Sequence, residues 1–345
     1  REARLLGVDV VLAPGVNLKR SPLCGRNFEY FSEDPLVAGV LGAAYVEGLQ
    51  SQGVGSSLKH FAVNNQEHRR HSISAEVDER TLRELYLAAF ERIVRTSRPW
   101  TVMCSYNRIN GTHASQHRRL LTEILRREWG FDGLVVSDWG AVHDPVAAVA
   151  AGLDLQMPGD DGTSMGAIAE ALHTGGLDPV AVASAAERVR RLAGRCGQPK
   201  AAGEVPDAVA DEHDRLARRA ATAGAVLLTN TGVLPLAPAP GARVAVLGRQ
   251  AAEPVFQGGG SAAVVPLRTS ALLPALAGAA PAVEFSYAPA YDWEQVADDC
   301  RLPVDPHSAR AEQLRAEALG VATAAELVIA CVGNPTGIES EGYDR

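Results

Sequence analysis

Residues 130–140 read GFDGLVVSDWG, an apolar run that stops abruptly at Ser137-Asp138-Trp139. A carboxylate at the carboxyl end of a strand in a βα fold stands where such folds carry their active sites, and the indole beside it offers a plane for a ring. Taken alone, an aspartate in this place serves more often as a helix cap or turn residue. Its company changes the reading. Lys59-His60 ends another apolar run and leads into FAVNNQEHRR, Tyr106-Asn107 ends a third, and Arg26 follows the first run within CGRNFEYFSEDP. Each has a plainer account: Lys59 as a solvated charge, His60 as a core histidine, Tyr106 as a strand-end aromatic, Arg26 as a partner of Glu29 or Asp34. Together they surround a carboxylate with donors, which is what a polyhydroxylated ring requires.

The elements that must position them are legible in the alternation of patterns. Short β-branched runs at 10–13, 57–61, 101–106 and 133–137 alternate with helical periodicity at 34–52, 78–97, 120–129, 165–173 and 178–195. That alternation is the signature of repeated βα units around a parallel sheet. Asp34 and Asp78 stand where N-caps belong. At least four such units in one layer favour a barrel with its site at the carboxyl ends of the strands. The stretch 197–211, with prolines, glycine and charge, breaks the periodicity and reads as a linker. After it, a helix near Ala217 leads into AVLLTN, then ARVAVLG, VEFSYA and ELVIACVG, the strands of a second, open α/β sheet.

A length of 345 residues favours two domains. The 33 Lys plus Arg against 41 Asp plus Glu leave a formal charge of -8, which disfavours a phosphate-backbone partner. The longest apolar runs are too short to cross a bilayer, so no membrane partner is expected. Five scattered cysteines show no paired spacing and read as reduced thiols. They lean toward a cytoplasmic setting, although a chain that opens without Met reads as an excised piece and leaves localisation undetermined. Oligomeric state is not specified; a homo-oligomer is compatible with the sequence.

Five stretches, GRNFEYFSEDP, KHFAVNNQEHRR, VMCSYNRINGT, LLTEILRREWGFDGLVVSDWG and AGLDLQMPG, occur in this order and resemble glycoside hydrolase family 3, β-glucosidase type. The resemblance covers nearly the whole chain. It implies an α/β architecture: a (β/α)8 TIM-like barrel over 1–196, lacking its first strand, the linker at 197–211, and an α/β sandwich over 212–345 that stops before its end. Carried over residue by residue, it implies that Asp138 is the nucleophile and that Arg26, Lys59, His60, Arg70, Tyr106 and Trp139 hold the sugar. QGGGSAAV resembles a family loop that would place Ser261 at the sugar, and GIESEGYDR resembles the loop of the acid/base glutamate. Glu341 matches that residue best, with Glu339 the competing candidate.

The chemistry so implied is a retaining double displacement on a terminal non-reducing β-D-glucosyl residue of a small glucoside or oligosaccharide. One carboxylate attacks the anomeric carbon and the other protonates the leaving oxygen, then activates water. Lys59, Arg26 and Arg70 are expected to keep Asp138 ionised. A β-xylosidase or another exo-β-glycosidase of the same family is the alternative, as is a catalytically silent sugar-binding relative. The run FAVNNQE after Lys59-His60 has no glycine, which argues against the hexosaminidase branch.

Other signals carry less. His60, His68 and His71 cluster in sequence but offer neither an HExxH helix nor a cysteine pair, so no metal is expected. ARVAVLGRQAAEPVFQGGGSA lacks a GxGxxG opening a helix, so no dinucleotide cofactor is expected either. Read as a piece of a longer chain, these residues are expected to be inactive alone.

Overall fold

The run Gly55–Phe61 is buried at every one of its positions. A strand without a solvent face belongs inside a parallel sheet covered on both sides, and there it lies. In the computed structural model, which describes residues 1–198, 200–297 and 300–345, it pairs in parallel with Val10–Val11 on one side and Thr101–Cys104 on the other. Thr101–Cys104 pairs in parallel with Leu134–Val136, and a parallel bridge from Val136 to Leu155 extends the series. The strands of this sheet thus lie side by side in their chain order, with helices in the segments between them, which is the order of a TIM-like barrel.

Two faces cover this sheet. On one, Leu58, Phe61, Val102 and Val135 pack with Phe90, Ile93, Ile124, Leu125 and Trp129 in one continuous core; each such side chain contributes about 1.5–3 kcal/mol by leaving water. On the other, Met103, Leu134 and Val136 meet Leu155, Met157, Val189 and Leu192. The helix Pro35–Gln50 is capped by Asp34, which accepts from the backbone N–H of Leu36, and Asp78, Asp144 and Asp178 cap later helices in the same way. The close approach of Pro35–Gln50 to the helix Ala88–Ser97 needs a glycine, since a Cβ on Gly42 would sit 2.6 Å from Cδ1 of Ile93.

The chain divides into two compact units, Arg1–Val205 with Gly342–Asp344, and Pro206–Glu341 with Arg345. Residue 199 of the expected linker lies outside the described residues, and residues 207–211, also read as linker, open the helix Asp207–Gly224. The second unit is the α/β sandwich part, built on a parallel sheet in the order Leu327–Ala330, Arg243–Leu247, Glu284–Ala288. The helices Leu272–Ala279 and Ala309–Thr323 and an antiparallel ribbon of Trp293–Ala297 with Cys300–Pro303 complete it. The sequence reading is corrected at AVLLTN, residues 225–230, which form no strand. Val226, Leu227 and Leu228 are exposed there; an apolar run becomes a strand only when a neighbour takes up its backbone hydrogen bonds. Cys24, Cys104, Cys196 and Cys331 are free thiols, while the side chain of Cys300 lies outside the described residues. No helix among the described residues is long and apolar enough to cross a membrane.

Candidate active site

Asp138 stands two residues beyond the strand Leu134–Val136 and is 6% exposed. Ser137 anchors that strand end: its N–H donates to the carbonyl of Leu155 at 2.9 Å, and its hydroxyl accepts from the N–H of Met157 at 2.8 Å. Beyond it the backbone turns, with Trp139 N–H donating to Asp138 Oδ1 at 2.8 Å and Gly140 N–H to the carbonyl of Met157 at 2.9 Å. Asp138 is therefore held on a short, doubly tied turn at a strand end, and the Trp139 side chain remains 41% exposed beside it. Behind the site, burial and the charge of Asp138 push the Cys104 thiol up to about 12, so it stays protonated. Sequence reading treated Cys104 only as a reduced thiol.

Lys59 and His60 lie in Gly55–Phe61, one strand removed from Leu134–Val136 across Thr101–Cys104, and that strand carries cis peptides at Lys59–His60 and Phe61–Ala62. The Asn17 amide clamps His60 from both sides: Oδ1 accepts its N–H at 2.8 Å and Nδ2 donates to its carbonyl at 2.9 Å. Val63, just beyond, has φ +62°, a conformation that costs a β-branched residue about 1–3 kcal/mol and that the buried network around it must sustain.

The His60 ring has Nε2 3.7 Å from Asp138 Oδ2. That proximity is not an ion pair. Burial, then the charges of Arg26, Lys59 and Arg70, hold the imidazole well below its ordinary 6.5, so it is neutral. On the far side, Tyr30 Oη lies 3.2 Å from Nδ1, and burial pushes that phenol well above 10. A Tyr30 hydroxyl donating to Nδ1 leaves the ring proton on Nε2, facing the carboxylate. Tyr30 in turn accepts from Asn64 Nδ2 at 3.1 Å, and Asn64 also donates to Glu67 at 3.1 Å.

The cations are organised by two glutamates. Glu29 takes Arg26 on one oxygen and Lys59 Nζ at 3.4 Å on the other; the plain reading of Arg26 as a partner of Glu29 is therefore correct, while Asp34 is occupied as a helix cap. Glu67, fully buried, takes Arg70 at 2.7 Å. The Arg70 guanidinium then lies over the Tyr106 ring at 4.3 Å. Asn107 Nδ2 donates to the carbonyl of Ala62 at 3.3 Å, tying the Tyr106 turn to the His60 strand. So Asp138, His60, Lys59 and Tyr106, at the carboxyl ends of the strands, form one set with Arg26 and Arg70 from the loops beyond, all of them buried but the half-buried Arg70. Tyr30, Asn64 and Glu67 within that set escaped sequence reading, because isolated polar residues in loops carry no periodicity. The hairpin Arg108–Ile109 with Thr112–His113 had a signal: Asn110-Gly111 with φ +50° and +87°, the pattern of a two-residue turn with both residues left-handed.

Glu341, Glu339 and Ser261 belong to the second unit. Glu341 Oε2 accepts from the N–H of Ser261 at 2.9 Å and, more closely, from its hydroxyl. Two backbone bonds, Gly259 N–H to the carbonyl of Glu339 at 2.9 Å and Glu341 N–H to the carbonyl of Gly259 at 3.1 Å, lace the two loops together. Gly260, at φ +99°, leaves room that a Cβ would close, since that atom would lie 2.5 Å from Glu341 Cβ. Glu339 faces elsewhere, accepting from Asn334 Nδ2 at 3.0 Å and pairing with Arg345 at 3.1 Å. Among the described residues no group of His, Cys, Asp or Glu is placed to hold a metal ion; His68 and His71 do not converge with His60 on one.

A buried carboxylate facing a neutral imidazole on which Arg26, Lys59 and Arg70 act, at the strand ends of a TIM-like barrel, is a layout that suits a barrel glycoside hydrolase. The profile of the Glycosyl hydrolase family 3 N terminal domain matches residues 1–192, and that of the Glycosyl hydrolase family 3 C-terminal domain matches residues 225–345. The thermostable β-glucosidase B of Acetivibrio thermocellus is 43% identical over all of this chain and 44% of its own length. An exo-α-(1→6)-L-arabinopyranosidase of Bifidobacterium longum is 42% identical over 98% of this chain and 44% of its own length. The crystal structure of the Bifidobacterium adolescentis GH3 β-glucosidase superposes with a TM-score of 0.85 at 42% identity, over all of this chain and 48% of that one. The chain belongs to glycosyl hydrolase family 3, and it spans less than half the length of these relatives.

Proposed function

We propose that the protein is a retaining exo-β-glycosidase that releases terminal non-reducing β-D-glucosyl residues, with Asp138 as nucleophile and Glu341 as acid/base. The observation that carries this reading is the Asp138 carboxylate, buried at a strand end with the Nε2 of a neutral His60 3.7 Å away and with Arg26, Lys59 and Arg70 near enough to act on that ring. In the first step Asp138 attacks the anomeric carbon while the bond to the leaving oxygen breaks and Glu341 gives that oxygen its proton. In the second, Glu341 takes a proton from water, whose oxygen displaces Asp138 and restores the β configuration. His60, Lys59, Arg26, Arg70 and Tyr106 hold ring hydroxyls, Trp139 stacks on the sugar or its aglycone, and Ser261 orients Glu341. The pairing of Glu339 with Arg345 supports Glu341 over Glu339 for the acid/base role.

The named activity of the Acetivibrio relative supports glucose as the sugar. An α-L-arabinopyranoside is the second reading, favoured by the Bifidobacterium longum relative. Initial rates of the full-length protein on aryl β-D-glucoside, β-D-xyloside and α-L-arabinopyranoside decide between them. The highest kcat/KM is expected on the glucoside; no turnover of any of the three would leave a silent sugar-binding protein.

A further inference from the structure

Two of the three residues that follow Glu341, Gly342 and Asp344, are tied by hydrogen bonds to buried or loop groups of the first unit. Gly342–Asp344 count with the first unit, and the contacts that hold them there are internal to it. The Asp344 carboxylate accepts three backbone N–H groups: Glu67 at 2.8 Å and Gly25 at 3.0 Å on Oδ1, and His68 at 3.0 Å on Oδ2. Glu67, fully buried, accepts the N–H of Gly342 at 2.8 Å on the same oxygen that takes Arg70 at 2.7 Å, while its other oxygen takes Asn64 Nδ2. A carboxylate that gathers several N–H donors makes charge-assisted bonds, roughly twice as strong as neutral ones. One removed from water without such partners would be costly. The desolvation of Glu67 is offset by a set of donors that includes a backbone group at the residue next to Glu341.

We infer that Glu67 and Asp344 are positioning residues for Glu341: their carboxylates clip Gly342 and Asp344 in place and so set where the preceding glutamate side chain starts. The inference rests on the acid/base reading of Glu341. Its own N–H is taken by the Gly259 carbonyl, the N–H that follows is taken by Glu67, and its carboxylate accepts from Ser261. Glu67 also joins this clip to the nucleophile's surroundings, through Asn64, Tyr30 and His60 on one side and Arg70 over Tyr106 on the other.

The chemistry of substitution is specific. In Glu67→Gln, an amide nitrogen must face either Asn64 Nδ2 or the pair Arg70 and Gly342 N–H, and in the orientation that keeps an oxygen on Gly342 the acceptor has lost its charge, so the clip is weakened either way. In Asp344→Asn, at least one of three backbone donors faces a nitrogen. A shift of the acid by about 1 Å is enough to lower the rate about 10²-fold, but only where the leaving group needs a proton.

The test uses the full-length protein with two aryl glucosides, one with an unactivated phenol and one with dinitrophenol as leaving group, in the variants Glu67→Gln, Asp344→Asn and, as reference, Glu341→Ala. The expected result is that both clip variants lose about 10²-fold in kcat/KM on the unactivated substrate and little on the dinitrophenyl one. Added azide should raise their dinitrophenyl turnover as it does for Glu341→Ala. Equal losses on both substrates, with a lowered melting midpoint, would mean a purely structural role and overturn the inference, as would unchanged kinetics. If Glu67→Gln does not fold, the kinetics of Asp344→Asn decide the matter by themselves. Should Glu341→Ala itself show no dependence on the leaving group, the acid/base reading falls and the clip with it; a dependence in Glu341→Ala alone removes only the clip.

Discussion

Nε2 of His60 faces Oδ2 of Asp138 at 3.7 Å, and the imidazole is kept uncharged by burial and by Arg26, Lys59 and Arg70. A depressed histidine pKa has a definite sign for stability. An unfolded chain takes up a proton near pH 6.5 while the folded one does not, so the full contribution is present above that pH and declines as pH falls toward the folded value. Urea midpoints measured at about pH 7.5 and about pH 5 should drop for the native protein and drop less for His60→Gln. His113 and His117 are shifted the same way by burial, so some of the fall remains in the variant. An undiminished fall in His60→Gln would show that His60 is protonated in the folded state.

Asp138→Ala should lower turnover by more than about 10³-fold, since no glycosyl-enzyme can form. The fold should persist, because what Asp138 ties locally is chiefly its own turn, with Ser137 holding the strand end. A 2-deoxy-2-fluoro glucoside should leave its label on the peptide containing Asp138. A label on the peptide of Asp154 would sink the assignment.

Asp154 is expected to fail by unfolding, not by chemistry. Its side chain is fully buried, pairs with Arg126 and with Arg188 at 2.8 Å, and accepts the N–H of Val135 at 2.8 Å in the strand that leads to Asp138. Removing one member of a buried ionic set costs about 3–5 kcal/mol. Asp154→Asn should therefore show a large fall in denaturant midpoint, with kcat on an activated substrate nearly retained below the new melting temperature.

Glu341→Ala should slow glucosides of poor leaving groups severely and spare the first step for an activated one, so that the intermediate accumulates. Azide needs no general base, and its addition should restore turnover and give a β-glycosyl azide. Glu339→Ala, which removes a partner of Arg345 and Asn334, should show neither behaviour. Rescue in the Glu339 variant and not in the Glu341 variant would reverse the two roles.

The sequence by itself determined the βα order, because burial on both faces of a strand leaves an unbroken apolar run and helices leave their own period: the strands and the caps at Asp34 and Asp78 are all readable locally. It also marked Asp138, Lys59, His60 and Tyr106, because each sits where such a run ends. It misjudged AVLLTN, since strand formation depends on a pairing partner that composition does not reveal. The tertiary structure alone decided that Lys59 and Arg26 share Glu29, that the Tyr30 hydroxyl meets His60 Nδ1, and that the glutamate between Asn64 and Arg70 reaches the backbone of Gly342. Those are contacts between residues as many as 275 positions apart, and no local pattern encodes them. A hydrogen bond between loops is specified only when the packed sheet and helices have brought the loops together and shut out the water that would otherwise take its place.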